Sequence, residues 1–446
     1  MSTTDPYGHG ASTAAGTSPE AVPHNPATHV GPGSEADPAA PAPADDDAAR
    51  WRAALHRVFA GGWAVSVGAV LLAVLAGSIM IAFTDEGVQS ASSYFFARPL
   101  DTLQAVGSAV GSAYAALFRG AVYNYRADDL ATAIRPLTSS LNFATPLIAA
   151  GLGVAVAFRA GLFNIGGQGQ ILAAAAGAGW VGFAADLPVV VHVVLAMVAG
   201  VLAGAVWAGI AGVLKAYTGA HEVIVTIMLN YIAFYGISYL LATPGLLQAP
   251  GSANPKTPAM QDTAILPRLL GERFTLHAGF LVAVAAVVVV WWLLNRSTLG
   301  FGFRAVGENP AAARVAGIDV RRTTVVAMLV AGALVGIAGA TQVLGTVTTG
   351  FSYDIDAGIG FDAITVALLG RSTPWGVLAA AVLFGAFKAG GSTMQASENI
   401  PIEIVLVVQS LIVLFIAAPP LVRAVLRLPQ PQARPRRGAR TRKAAA

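Results

Sequence analysis

Few residues in this chain could do chemistry, and their spacing excludes most reactions. His221-Glu222 begins like the zinc motif H-E-x-x-H, but Val225 stands where the second histidine belongs. The chain has no cysteine, so disulfides, thiolate metal sites, iron–sulfur clusters and cysteine nucleophiles are excluded. No G-x-S-x-G nucleophile elbow occurs. His9, His24, His29 and His56 lie in or near the polar amino-terminal stretch, His221 and His277 border apolar runs, and His192 lies inside one. An enzyme working within a membrane needs a nucleophile beside a base, or paired carboxylates. Neither is offered here. The stretch from Arg159 to Gln170 is rich in glycine and carries Asn164, Gln168 and Gln170. It reads as a tight turn whose amides face a polar cavity or close a helix end. It is not a phosphate loop: G-x-x-x-x-G-K-[ST] is absent throughout, so no Walker-type nucleotide site exists and no cofactor is expected in this chain.

The elements that position these residues follow from composition. Of 446 residues 55% are apolar and 11% charged, against about 25% charged in an ordinary soluble domain. A soluble protein of this size cannot cover so much apolar surface, which points to the membrane and to an all-α polytopic fold. The formal charge of +4 gives no argument for nucleic-acid binding. Against the roughly 20 helical residues of one bilayer crossing, ten apolar runs stand out: 61–83, 137–158, 168–185, 190–214, 222–243, 276–295, 323–347, 358–370, 374–391 and 402–419. The eighth is too short to cross and reads as a half-helix, tolerated where protein or a cavity surrounds it. The membrane core is thus 51–425, between a disordered Ala/Pro-rich tail (1–50) and a basic tail (426–446). That tail carries Arg434, Arg436, Arg437, Arg440, Arg442 and Lys443, and reads as a topology anchor beside anionic membrane lipid. Residues 84–135 form an external loop, with a surface-lying helix over 101–125. With both termini cytoplasmic, most of the 27 Lys and Arg fall inside while acidic residues divide almost evenly, as orientation by positive loops predicts. Gly200/Gly204 and Gly332/Gly336 are G-x-x-x-G pairs, read as ordinary close packing within one bundle.

Three further polar stretches carry information. Glu222, Thr226 and Asn230 share one face of a helix that begins at Glu222. That stripe either faces a translocation path or makes interhelical hydrogen bonds. In the long basic loop 296–322, Asn309 can cap a short helix with Pro310 at its first position and Gly317 at its end. Length, cap signals and nearby arginines favour a docking element over a mere connector. Asp362 opens the eighth run, Lys388 lies in the ninth and Glu403 begins the tenth. Lys388 is expected to pair with Asp362 or Glu403 near the external mouth; the alternative is that each charge is solvated at the interface.

Four blocks carry a resemblance: G-L-F-N-I-G-G-Q-G-Q at 161–170, H-E-V-I-V-T-I-M-L-N-Y at 221–231, R-A-V-G-E-N-P-A-A-A at 304–313 and G-F-D-A-I-T-V-A-L-L-G at 360–370. The sequence resembles the permease subunits of bacterial ABC importers in the branched-chain amino acid and simple-sugar group. Within it, the chain is most similar to nucleoside-type permeases that work with Bmp-type lipoprotein receptors. Two departures are visible: Gln168 stands where an acidic residue is expected, and the amino-terminal tail is long. The resemblance implies a type II-like ABC importer permease bundle in the bacterial cell membrane. It also implies a separate ATPase subunit holding ATP and Mg, a second permease subunit and an external substrate-binding lipoprotein. It makes 304–317 a coupling helix, with Arg304, Gly307, Glu308, Asn309, Pro310, Ala312 and Arg314 receiving force. It places Asn142, Asn164, Gln168, Thr226, Asn230, Gln342 and Asp362 along the substrate path. The implied cargo is a nucleoside or nucleobase-like compound, with a simple sugar as the alternative and an ion-coupled secondary transporter as the rival mechanism.

Overall fold

The computed structural model describes residues 62–427. The tail expected over 1–50, Arg50, Arg52 and Arg57, and the basic residues from Arg434 to Lys443 lie outside the described residues.

Each of the ten apolar runs is a helix. In chain order these are α1 (Gly62–Thr84), α4 (Leu130–Arg159), α5 (Gly167–Ala184), α6 (Val189–Thr218), α7 (Glu222–Ala242), α8 (Gly279–Arg296), α11 (Val320–Thr341), α12 (Ile359–Leu369), α13 (Pro374–Glu398) and α14 (Ile402–Ala417). Between and beyond them lie α2 (Glu86–Ser92), α3 (Pro99–Ala121), α9 (Thr298–Glu308), α10 (Pro310–Val315) and α15 (Pro419–Val425). Among the described residues six helices are long and apolar enough to cross a membrane: α4, α6, α7, α8, α11 with its continuation to Thr346, and α13. The apolar length of α1 continues into α2 through a bend of 73°. The half-helix expected over 358–370 is α12, only 11 residues long.

Packing explains why α4 is apolar on all sides. Its most apolar window is 83% buried, against 22% for α6, so α4 is the bundle's inner helix and α6 turns most of its surface outward. The two G-x-x-x-G pairs meet each other. A Cβ on Gly204 would fall 2.6 Å from the Gly332 carbonyl oxygen, and one on Gly336 2.8 Å from that of Gly200. Backbone approach this close is how membrane helices gain contact without a hydrophobic drive between them.

The helix expected over 101–125 is present, and one of its faces is packed. Here α3 is a packed element of 23 residues. It buries Ala109, Ala113 and Ala116 with Ile81, Met394 and Ile404. The Tyr114 hydroxyl donates to the Val74 carbonyl at 2.8 Å. Near its end, buried Arg119 donates to the Ser397 hydroxyl at 3.0 Å and lies 3.8 Å from Glu398. The small residues that weakened the apolar signal are what allow the close fit.

Candidate functional site

The basic loop folds as a chain of capped helical pieces. Ser297 accepts from the Gly300 amide at 3.0 Å to start α9. Asn309 accepts from the Ala311 and Ala312 amides, both at 3.0 Å, and Pro310 opens α10. Asp319 accepts from the Arg322 amide at 3.0 Å to start α11, after Gly317 has ended α10 with φ +82°. Three caps within one loop satisfy amides that a helix start leaves unpaired, and fix the angles between the pieces. Ala313 anchors α10, while Pro310, Ala312 and Arg314 are exposed and Val315 is 92% exposed. The six-residue helix thus leaves most of its side chains exposed. Arg304 adds a buried guanidinium nitrogen without a partner among the described residues.

Gly307 brings this loop against the glycine-rich turn. A Cβ on Gly161, which has φ +72°, would lie 3.0 Å from the Gly307 Cα. The neighbouring Arg159 donates from Nε to the Ser372 carbonyl at 3.0 Å, so the same turn also holds the connection between α12 and α13. Beside it opens a cavity of about 620 Å3, lined by Gly161, Lys215, Glu222, Gly307, Arg314 and Arg321 among others. Lys215 and Glu222 are paired there at 2.8 Å. Lys215, Arg314 and Arg321, three of the basic residues that the sequence assigns to one side, line this cavity together.

From Gly161 the chain climbs to the start of α5 in six residues. There the polar side chains complete the packing. Asn164 accepts from the Gly166 backbone amide at 2.9 Å and from the Gln170 side-chain Nε2 at 3.1 Å. Asn230 accepts from the Gly169 amide at 2.9 Å and donates to the Ile165 carbonyl at 2.9 Å. Thr226 donates to the Glu222 carbonyl at 2.8 Å and lies 3.4 Å from the Ile165 amide. Within the Glu222, Thr226 and Asn230 stripe, Thr226 and Asn230 make interhelical hydrogen bonds, while Glu222 and Asn230 also line cavities. Asn164 and Thr226 spend their polar atoms in that network and are buried.

The start of α12 meets the start of α5. A Cβ on Gly167 would lie 2.8 Å from the Gly360 carbonyl oxygen and 3.0 Å from its Cα. Two helices thus begin inside the bundle, side by side, with positive dipole ends together and first amides that need acceptors from outside the helix. Asp356 satisfies two of those amides, accepting from Gly360 at 2.9 Å and Gly358 at 3.1 Å. Burial pushes its carboxyl up to about 6, against the lowering by these amides. Asp362 pairs with Lys388 at 2.8 Å, and no ion pair joins Lys388 to Glu403 among the described residues. Asn142 and Gln342 are buried elsewhere, the former with an unpaired carbonyl oxygen, the latter at a π-helical turn, Gln342–Thr346. On the loop before α8, His277 accepts from the Gly279 amide at 3.1 Å, with Thr346 at 3.3 Å on its other nitrogen. Burial lowers its pKa to about 4.

Gln168, like Asp362 at the same junction, is partly open. With Asn230, Tyr231, Phe234, Tyr235 and Phe361 it lines a pocket of about 270 Å3.

Residues 137–417 match the family model described as branched-chain amino acid transport system / permease component. The chain belongs to this permease family. It is 40% identical over 324 residues to the guanosine ABC transporter permease protein NupP of Bacillus subtilis, covering 72% of this chain and 89% of that one. The glucose ABC transporter permease protein TsgB13 of Haloferax volcanii is 37% identical, over 63% of this chain and 75% of its own. The nucleoside ABC transporter permease protein NupB of Lactococcus lactis is 34% identical, over 66% and 82%. No solved structure matches.

The permease is thus a multi-pass membrane protein whose family work is transport. Its aromatic residues went unsingled in the sequence. Tyr231, Tyr235 and Tyr239 recur every four residues along α7 and are 56%, 66% and 67% exposed. That spacing is the signal that could have found them.

Proposed function

We propose that this permease is the membrane subunit of an ATP-driven ABC importer and forms a path for nucleosides. ATP and Mg are held by a separate ATPase subunit that docks on α10; a second permease subunit completes the path, and an external lipoprotein delivers the cargo. The orientation has both termini and the 296–322 loop cytoplasmic, with all ten apolar helices in the membrane and α12 reaching only part-way.

One observation carries the mechanism: the turn 159–161 touches the docking loop at Gly307 and leads within seven residues to the junction of α5 and α12. A displacement of α10 is therefore passed through backbone contacts, which cannot yield as long side chains can. Driven alternation further requires that nucleotide and cargo each bind the inward and outward forms with different free energy. The nucleoside cargo is supported by the guanosine and nucleoside permeases among the relatives. The glucose permease supports a simple sugar as the second reading.

The test is uptake of radiolabelled guanosine by the complex reconstituted with its ATPase and receptor. Uptake that ignores ATP and follows an ion gradient would sink the proposal.

A further inference from the structure

The exposed face of α7 poses a physical problem. Tyr231 and Tyr235 are the tenth and fourteenth residues of a 21-residue span, so their hydroxyls sit near its centre. Tyrosine belongs at membrane interfaces, where its polar end stays wet. At the centre, lipid offers a hydroxyl no partner. Neither hydroxyl makes a hydrogen bond within the described residues, and both rings are more than half exposed. This face therefore looks onto something other than lipid chains.

The surroundings narrow what that is. Phe234 is held edge-on between Tyr235 and Tyr353, with ring centroids 5.3 Å apart in both pairs. Phe361, 52% exposed, enters from the start of α12, and Gln168 from the start of α5. The four aromatic side chains and one free amide bound a pocket of about 270 Å3, just below the range of ligand pockets at about 300–1,000 Å3. No Asp, Glu, Lys or Arg lines it. Rings with an uncharged donor and acceptor suit a flat, neutral heterocycle: the faces stack and the amide reads an edge.

We propose that the cargo's base is held in this pocket midway through the membrane, stacked by Tyr231, Tyr235 and Phe361 and read on its edge by Gln168. This rests on the nucleoside reading above and adds where, and by which side chains, the permease itself contacts its cargo. Phe234 positions Tyr235, and Asn230 fixes the backbone on which Gln168 stands through its bond to the Gly169 amide. The stacking is sequence-tolerant, since every base has a π-face, so discrimination among bases falls to Gln168.

The experiment uses the whole complex of permease, second permease, ATPase and receptor in proteoliposomes. Radiolabelled guanosine and unsubstituted purine riboside are the probes, and glucose the comparison. Tyr231→Ala, Tyr235→Ala and Phe361→Ala each lower nucleoside uptake at least about five-fold, and Tyr231→Phe and Tyr235→Phe restore it. Gln168→Leu erases most of the difference in uptake between guanosine and purine riboside, which a merely structural role would not do. Alanine variants that carry guanosine like the wild type overturn the site. So do variants whose complexes fall apart on size exclusion, since the face would then be a subunit interface. A wild-type complex that imports glucose and no nucleoside overturns the cargo reading itself, before any variant is compared.

Discussion

Gly161 and Gly307 lie backbone against backbone: a Cβ on Gly307 would meet the Arg159 carbonyl and fall 2.9 Å from the Gly161 amide nitrogen. This contact joins the 296–322 loop, which we propose docks the ATPase, to the turn that leads to α5. Gly307→Val cannot be accommodated without parting the two, since the obstacle is backbone rather than a movable side chain. The variant complex should hydrolyse ATP yet import at least ten-fold less cargo. Parallel uptake and ATPase assays check this, and uptake at the wild-type rate would show that force travels elsewhere.

Asn309 holds two amides at the start of α10. Asn309→Ala should cost about 1 kcal/mol of local stability and weaken retention of the ATPase subunit. Asn309→Asp, which keeps the accepting oxygen, should preserve it. Affinity co-purification of the ATPase with each variant measures the difference.

The Asp362–Lys388 pair is about three-quarters buried on both sides. Removing one partner strands a charge, at about 3–5 kcal/mol for a fully buried pair; partial exposure reduces this to about 2 kcal/mol. Lys388→Met and Asp362→Leu should each lower the melting temperature in detergent, and the double variant should recover most of the loss. A double variant as unstable as the sum of the two would show that the charges do not interact.

Asn230→Ala strands the Gly169 amide and the Ile165 carbonyl. Each buried group left unpaired costs about 1–3 kcal/mol, so this change should destabilise the permease more than Asn142→Ala, whose carbonyl oxygen is unpaired already. Thermal unfolding followed by fluorescence ranks the two.

His277 and Asp356 give stability opposite pH dependences. His277 is held at about 4 against 6.5, so its contribution is present above pH 6.5 and lost as pH falls through 4. Asp356 is held at about 6 against 3.8, so its contribution is present below pH 3.8 and lost as pH rises through 6. The two oppose each other across the same window. Relative to wild type, Asp356→Asn should make melting temperature fall more steeply on acidification between pH 6.5 and 4, and His277→Gln less steeply. Identical slopes in all three proteins would contradict the assignment.

Much of the fold is legible in the sequence because apolar run length is set by the bilayer. All ten runs are helices, with ends shifted by a few residues except where polar turns extend α4 and α13. The short helix at 310–315 is likewise readable, since Asn309, Pro310 and Gly317 are local signals with local causes. What stays hidden depends on contacts distant in sequence. Nothing in Gly167 or Gly360 alone says that two helix starts meet there. Nor do Thr226 and Asn230 show whether their polar atoms face a path or a neighbouring backbone until α5 is placed against α7. A tyrosine in an apolar run also reads as interface or core until its height and exposure are known.

The most direct test of the central claim pairs transport with the docking loop. The reconstituted complex is compared with one carrying Arg304→Glu and Glu308→Lys, and uptake of radiolabelled guanosine is followed with and without ATP. The account predicts ATP-dependent uptake by the wild type and its loss in the loop variant. Uptake by the loop variant equal to the wild type, or uptake independent of ATP in both, would contradict it.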